Sequence, residues 1–85
     1  MDLDASFASA QTRVKTLTKP PSNDKLLELY ALYKQGTTGD ATGGRPGMFD
    51  MVGRAKFDAW TSKKGLTKES AKQAYVTLVD QLVGG

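Results

Sequence analysis

Leu29-Tyr30-Ala31-Leu32-Tyr33-Lys34-Gln35 is the stretch on which the reading of this chain turns. Tyr30, Tyr33 and Lys34 recur at helical spacing, so on a helix two aromatic rings and an ammonium project from neighbouring turns of one face. That combination suits a planar ring carrying phosphates. Tyrosines at i and i+3 are more often core residues whose hydroxyls reach the surface, and the heptad taken alone favours that plainer reading. The rest of the chain must decide between them.

Working outward, Ser22 or Asn23 is a candidate N-cap for the helix that holds the heptad. Leu26, Leu29, Tyr30 and Tyr33 then form one stripe, Leu27 and Lys34 lie at its edge, and Glu28 keeps the opposite side wet. Upstream, Leu17 to Pro21 ends with two prolines, which remove backbone donors and push the preceding residues into extended conformations. Before that break, Phe7, Ala10 and Val14, followed by Leu17, repeat at three or four residues, which predicts an amphipathic helix from Asp4 to Thr16 with Asp4 as its cap. Downstream, Gly36 to Met48 is rich in Gly, Thr, Asp and Pro, and its glycines supply turn geometry. It fits no phosphate-cradling glycine motif and no calcium loop. A connection this long either crosses the domain or carries function, with a disordered linker as the competing possibility.

Asp50 caps a third, shorter helix through Trp60, with Val52, Ala55, Ala59 and Trp60 as its apolar stripe and Arg54 and Lys56 flanking it. Lys63-Lys64-Gly65 supplies a cationic turn and a glycine that ends the helix. Thr67 caps the last helix, Glu69 complements its dipole, and Ala71, Ala74, Tyr75, Leu78 and Leu82 make the clearest stripe in the chain. Gly84 and Gly85 are expected to fray. Trp60 and Leu78 are read as core. No alternating β-branched run and no internal repeat compete with this all-α reading of four helices.

The chain has 85 residues, no cysteine, no histidine and a formal charge of +3. That length closes one small core, so residues 1–85 are read as a single domain. Without thiolates or imidazoles, a metal centre and triad catalysis are not expected. The N-terminus lacks the basic and apolar regions of a secretory signal, and no stretch approaches a membrane span, so an intracellular, soluble protein is expected. Lys25, Lys34, Arg54, Lys56, Lys63 and Lys64 form no dense block, which favours a small anionic ligand over a polyanion. A basic helical module for nucleic acid or a protein partner remains the alternative, with the tyrosines as stacking platforms. An enzyme using Lys or Asp as base has little support, since no His, Cys or paired-carboxylate motif accompanies them.

Five motifs follow one another in order: Tyr-x-x-Tyr-Lys-Gln from Tyr30, Thr-x-Gly-Asp from Thr37, Arg-Pro-Gly-Met from Arg45, Lys-Phe-Asp-Ala-Trp from Lys56 and Lys-Gln-Ala-Tyr from Lys72. In this order the chain resembles the acyl-CoA-binding protein family, over a match that runs from about Phe7 to Leu82. The resemblance implies a four-helix up-down-down-up bundle with a long connection between helices two and three. It implies non-catalytic binding and transport of medium- to long-chain fatty acyl-CoA by a cytoplasmic monomer. Acyl-CoA would be a carried ligand and not a cofactor, acyl-CoA-using enzymes transient partners, and neither nucleic acid nor stable membrane insertion is implied.

The same resemblance assigns residues. Tyr33 and Tyr75 match positions beside the adenine, Tyr30, Lys34 and Lys56 positions at the phosphates, and Lys15 a further basic position near the CoA headgroup. Phe7, Ala10, Val14, Leu26, Leu27 and Ala55 match positions along the acyl chain. Ala10, Val14, Leu26 and Ala55 read equally well as core. The chain departs from the family pattern at Phe57, usually tryptophan, at Val52, commonly lysine, at Glu28, often apolar, and at Pro20, frequently lysine. It also ends at Val83-Gly84-Gly85, without a lysine-rich tail. These departures bear on chain-length preference and affinity.

Overall fold

The computed structural model describes residues Asp2 to Gly84. Among them the chain forms four α-helices and no strand: α1 (Leu3–Arg13), α2 (Asn23–Thr37), α3 (Met51–Thr61) and α4 (Lys68–Gly84). The expected all-α fold and the long connection between the second and third helices are both present. Caps explain the boundaries. Ser22 Oγ accepts the Lys25 N–H at 3.3 Å, Asp50 Oδ1 the Gly53 N–H at 2.9 Å and Thr67 Oγ1 the Ser70 N–H at 3.0 Å. Each satisfies an N-terminal donor that the helix itself leaves unpaired. Gly65, at φ +96°, takes the left-handed conformation in the turn before α4.

The first helix begins earlier than expected. Asp2, not Asp4, is its cap, its Oδ1 accepting from the Ala5 N–H at 2.7 Å. Asp4 sits in the first turn, where its carboxylate pairs with Lys72 at 2.6 Å. The α-helix stops at Arg13, and Val14–Thr16 tightens into a 3-10 turn ahead of the prolines. At the other end α4 includes Gly84, which was expected to fray; Gly85 lies outside the described residues.

α4 is the centre of the fold. α1 and α2 both pack on it, whereas α3 packs on α2 alone. The result is a slab 39 × 29 × 15 Å, little thicker than one helix. Phe7 and Ala10 of α1, Leu29 and Leu32 of α2, and Tyr75, Val76, Leu78 and Val79 of α4 form the core, with Val14, Ala74 and Leu82 packed at its margin.

This arrangement corrects two stripes. On α2 the buried residues are Leu29, Ala31, Leu32, Gln35 and Gly36, while Leu26 and Tyr33 are exposed and Tyr30 is half-buried. α2 has a neighbour on two sides, so its apolar residues divide between the α4 contact and the α3 side. On α3 only Trp60 is buried, and Val52 stands in solvent, because one partner helix covers one narrow face. Gly36 is no turn residue either. It lies within α2, where an added Cβ would meet Lys72 Cγ at 3.0 Å, so its missing side chain lets α2 and α4 approach.

The connection 38–50 is pinned, which excludes a disordered linker. Trp60 Nε1–H donates to the Gly39 carbonyl at 2.8 Å. Arg45 grips Asp58 through two parallel bonds of 3.0 and 2.7 Å, the fork-to-fork geometry of arginine and carboxylate. Asp40 Oδ1 accepts from Gln35 Nε2 at 2.7 Å and from the Gly65 N–H at 2.9 Å. Gln35, fully buried, also donates to the Leu66 carbonyl at 2.9 Å. The Thr-x-Gly-Asp and Arg-Pro-Gly-Met motifs are thus fasteners for the loop.

Candidate functional site

Between α2 and α3 the slab opens into a groove of about 340 Å³, lined by Asn23, Leu26, Leu27 and Tyr30 from α2 and by Val52, Ala55 and Lys56 from α3. It exists because α3 has no second helix packed on it. Leu26, Leu27 and Tyr30 fall at i, i+1 and i+4 on the side of α2 turned from α4. Val52, Ala55 and Lys56, at i, i+3 and i+4, answer them across the gap. The volume falls within the range of small-molecule sites, and the lining is apolar with few polar groups.

Tyr30 carries the Lys56 ammonium over its ring, 5.3 Å from the centroid. Lys34, one turn further along α2, lies over Trp60 at 4.8 Å. Neither lysine makes an ion pair among the described residues. Arg13, Arg45, Lys63 and Lys72, by contrast, pair with Asp80, Asp58, Glu28 and Asp4 at 2.6 to 2.7 Å. An aromatic face positions a cation without neutralising it, whereas a carboxylate cancels its charge. Lys34 and Lys56 therefore present full positive charges on α2 and at the groove, held in place and available to an anion.

A second aromatic cluster forms where α1, α2 and α4 meet. Phe7 stacks on Tyr33 with centroids 5.9 Å apart and meets Tyr75 edge to face at 5.1 Å. Tyr33 keeps an exposed surface, while Tyr75 is nearly covered. Burial pushes the Tyr75 phenol above its ordinary value of 10.0, and the neighbouring Tyr33 adds to the shift. The phenol stays neutral and able to donate a hydrogen bond at physiological pH.

Of the residues singled out in the sequence, the structure gathers Leu26, Leu27, Tyr30, Ala55 and Lys56 in the groove and joins Tyr33 to Tyr75 through Phe7. Ala10 is fully buried and Phe7 nearly so, and Val14 packs at the core margin, so these three serve the core of this fold. Lys15 is exposed on the 3-10 turn and makes no ion pair among the described residues. Asn23 and Val52 line the groove without having been singled out for it. For Val52 the signal was present, four residues before Lys56 on the same helical face. Trp60, read as core, also holds Lys34 and the loop. Glu28, one of the departures, finds a partner in Lys63 at 2.6 Å.

Comparison with known proteins bears on what this groove is for. A family model described as acyl CoA binding protein matches residues 4–79. The chain belongs to the acyl-CoA-binding protein family. It is 59% identical over 78 residues to "Acyl-CoA-binding protein homolog 1" of Caenorhabditis elegans, covering 92% of this chain and 91% of that one. The crystal structure of acyl-CoA-binding protein 2 from Oryza sativa superposes with a TM-score of 0.93 at 43% identity, covering 98% of this chain and 92% of that one. "Enoyl-CoA delta isomerase 2" of Rattus norvegicus is 51% identical over 76 residues, which is 89% of this chain but 19% of the isomerase. The match thus spans about a fifth of that enzyme.

Proposed function

We propose that the chain binds medium- to long-chain fatty acyl-CoA esters without catalysis, as a cytoplasmic monomer that carries them to the enzymes that use them. One observation supports this reading above the others: an apolar groove has at its edge a tyrosine ring bearing a lysine with no carboxylate partner among the described residues. An acyl-CoA is a long apolar chain joined to a phosphate-rich headgroup, and it needs both halves of that site. Leu26, Leu27, Val52 and Ala55 receive the chain. Lys56 and Lys34 meet the phosphates, Tyr30 and Lys15 assist them, and Tyr33 with Tyr75 flanks the adenine.

The energetics divide accordingly. About a dozen methylenes at ~0.8 kcal/mol each come to roughly 10 kcal/mol before ordering costs. One base stacked on tyrosine contributes about 1 to 3 kcal/mol. The chain therefore supplies most of the affinity and the headgroup most of the specificity, and free CoA binds far more weakly.

Calorimetry with palmitoyl-CoA, run beside a single-stranded oligonucleotide, tests the reading. Submicromolar binding of the thioester and none of the oligonucleotide is expected, and the reverse would reject the carrier role. Lys56→Ala sharpens it. If Lys56 meets the ribose 3′-phosphate, the variant loses affinity for palmitoyl-CoA but scarcely any for palmitoyl-dephospho-CoA. Equal losses for both would remove that assignment.

A further inference from the structure

The tip of the α2–α3 connection leaves a run of large apolar side chains in water. Phe49 is 96% exposed, Met51 77%, Met48 70% and Val52 68%. Single exposed apolar residues are ordinary, but four within five consecutive positions make a patch of the kind that marks contact with a partner or a lipid. The frame beneath it is fastened. Arg45 grips Asp58, the Gly47 carbonyl accepts the Asp50 N–H at 2.9 Å, and Asp50 caps α3. The carrier reading uses Val52 of these four and leaves Met48, Phe49 and Met51 without a role.

We propose that this tip docks the protein on an anionic lipid surface, with Met48, Phe49 and Met51 entering the boundary between headgroups and acyl chains. Charge selects the lipid. Arg54 lies three residues beyond Met51 and Lys56 four beyond Val52 on α3, so both cations stand one turn behind the apolar tip, and neither makes an ion pair among the described residues. The carboxylate inside the apolar run, Asp50, is held on the α3 N-terminus by the Gly53 N–H, and Asp58, beyond the two cations, is engaged by Arg45. Apolar insertion backed by unpaired cations is the make-up of an interfacial anchor, in which burial and attraction to anionic headgroups act together. Phe49 touches almost nothing of its own chain, as suits a side chain that enters a deformable medium.

The docked geometry has a consequence that rests on the carrier reading. Val52 belongs to both the tip and the groove, so docking makes the groove's apolar wall continuous with the edge of the hydrocarbon. An acyl chain then passes between the two with little exposure to water. The docking itself does not depend on acyl-CoA.

The test uses the ligand-free protein, sedimented with vesicles of phosphatidylcholine alone and of phosphatidylcholine with phosphatidylserine. The wild type is expected to sediment with the anionic vesicles, less with the neutral ones, and less again as salt is raised. Phe49→Ser and Met48→Ser each reduce the anionic partition, Phe49→Ser by about tenfold, the range for withdrawing one large apolar side chain. Titration of Phe49→Ser with palmitoyl-CoA in solution is expected to match the wild type, which reads folding and the carrier site apart from docking. Three results overturn the proposal. They are no sedimentation of the wild type with either vesicle, which assigns the tip to a protein partner; equal sedimentation of wild type and both variants; and a dimer in analytical ultracentrifugation that Phe49→Ser dissolves.

Discussion

Replacing Trp60 by phenylalanine perturbs the residue that joins the loop to the groove. Its Nε1–H donates to the Gly39 carbonyl at 2.8 Å, and its ring lies under the Lys34 ammonium at 4.8 Å. Phenylalanine keeps an aromatic ring but has no N–H. The Gly39 carbonyl, half-buried, then lacks its partner, at about 1 to 3 kcal/mol. A smaller ring also weakens the cation–π contact, worth about 0.5 to 1 kcal/mol in a partly exposed setting. Together with the space vacated, the loss is roughly 2 to 4 kcal/mol. A domain of this size has a total stability of about 4 to 13 kcal/mol, so the variant folds but with much of its margin gone. At about 4 to 8 °C per kcal/mol, the midpoint falls by roughly 8 to 32 °C.

Thermal unfolding followed by far-ultraviolet circular dichroism measures this from the helices and does not need the tryptophan as reporter. Calorimetry with palmitoyl-CoA on the same variant reads the site. Because Gly39 opens the loop and Lys34 is proposed to meet the phosphates, an affinity loss of about tenfold is expected, equivalent to one charged contact misplaced. A midpoint within about 3 °C of the wild type would refute the pinning, since it corresponds to less than 1 kcal/mol. A large thermal loss with unchanged affinity would refute the link between loop and site.

Two further predictions concern the tyrosines. Tyr33→Ala should weaken palmitoyl-CoA binding more than Tyr33→Phe, because the ring is what an adenine stacks on; calorimetry giving the reverse order would make the hydroxyl the working group. Tyr75 has a phenol raised above its ordinary value of 10.0 by burial, so the folded state holds that proton more tightly than the unfolded chain does. Its contribution is therefore complete below pH 10 and is lost as pH rises towards the folded value. Urea unfolding across that window should show a steeper alkaline loss for the wild type than for Tyr75→Phe. Parallel slopes would show that Tyr75 does not titrate differently in the two states.

Much of the fold was legible because it rests on local chemistry. Ser22, Asp50 and Thr67 cap their helices through side-chain oxygens only a few residues from the donors they satisfy, and Pro20 and Pro21 break the chain through their own rings. The first cap was misplaced by two residues because Asp2 and Asp4 offer the same oxygen at the same reach, and only the Lys72 partner of Asp4 separates them. The loop fasteners were hidden in another way. No local pattern marks Gln35 for burial, yet it is fully buried, donating to Asp40 five residues on and to the Leu66 carbonyl from the far side of α3 in sequence.

The sequence by itself determined four helices, their order and breaks, and the residue types for an anionic, partly apolar ligand, since periodicity, capping and composition act within a few residues. Tertiary structure alone decided which side of each helix is covered. An apolar stripe states that a face can be buried, and it does not name the helix that will bury it. α4 took the Leu29 and Leu32 face of α2, α3 received one neighbour instead of two, and Leu26, Leu27, Tyr30 and Val52 were left to line a groove. The same packing placed Lys34 on Trp60 and Lys56 on Tyr30, without an ion pair among the described residues, through contacts that no local pattern encodes.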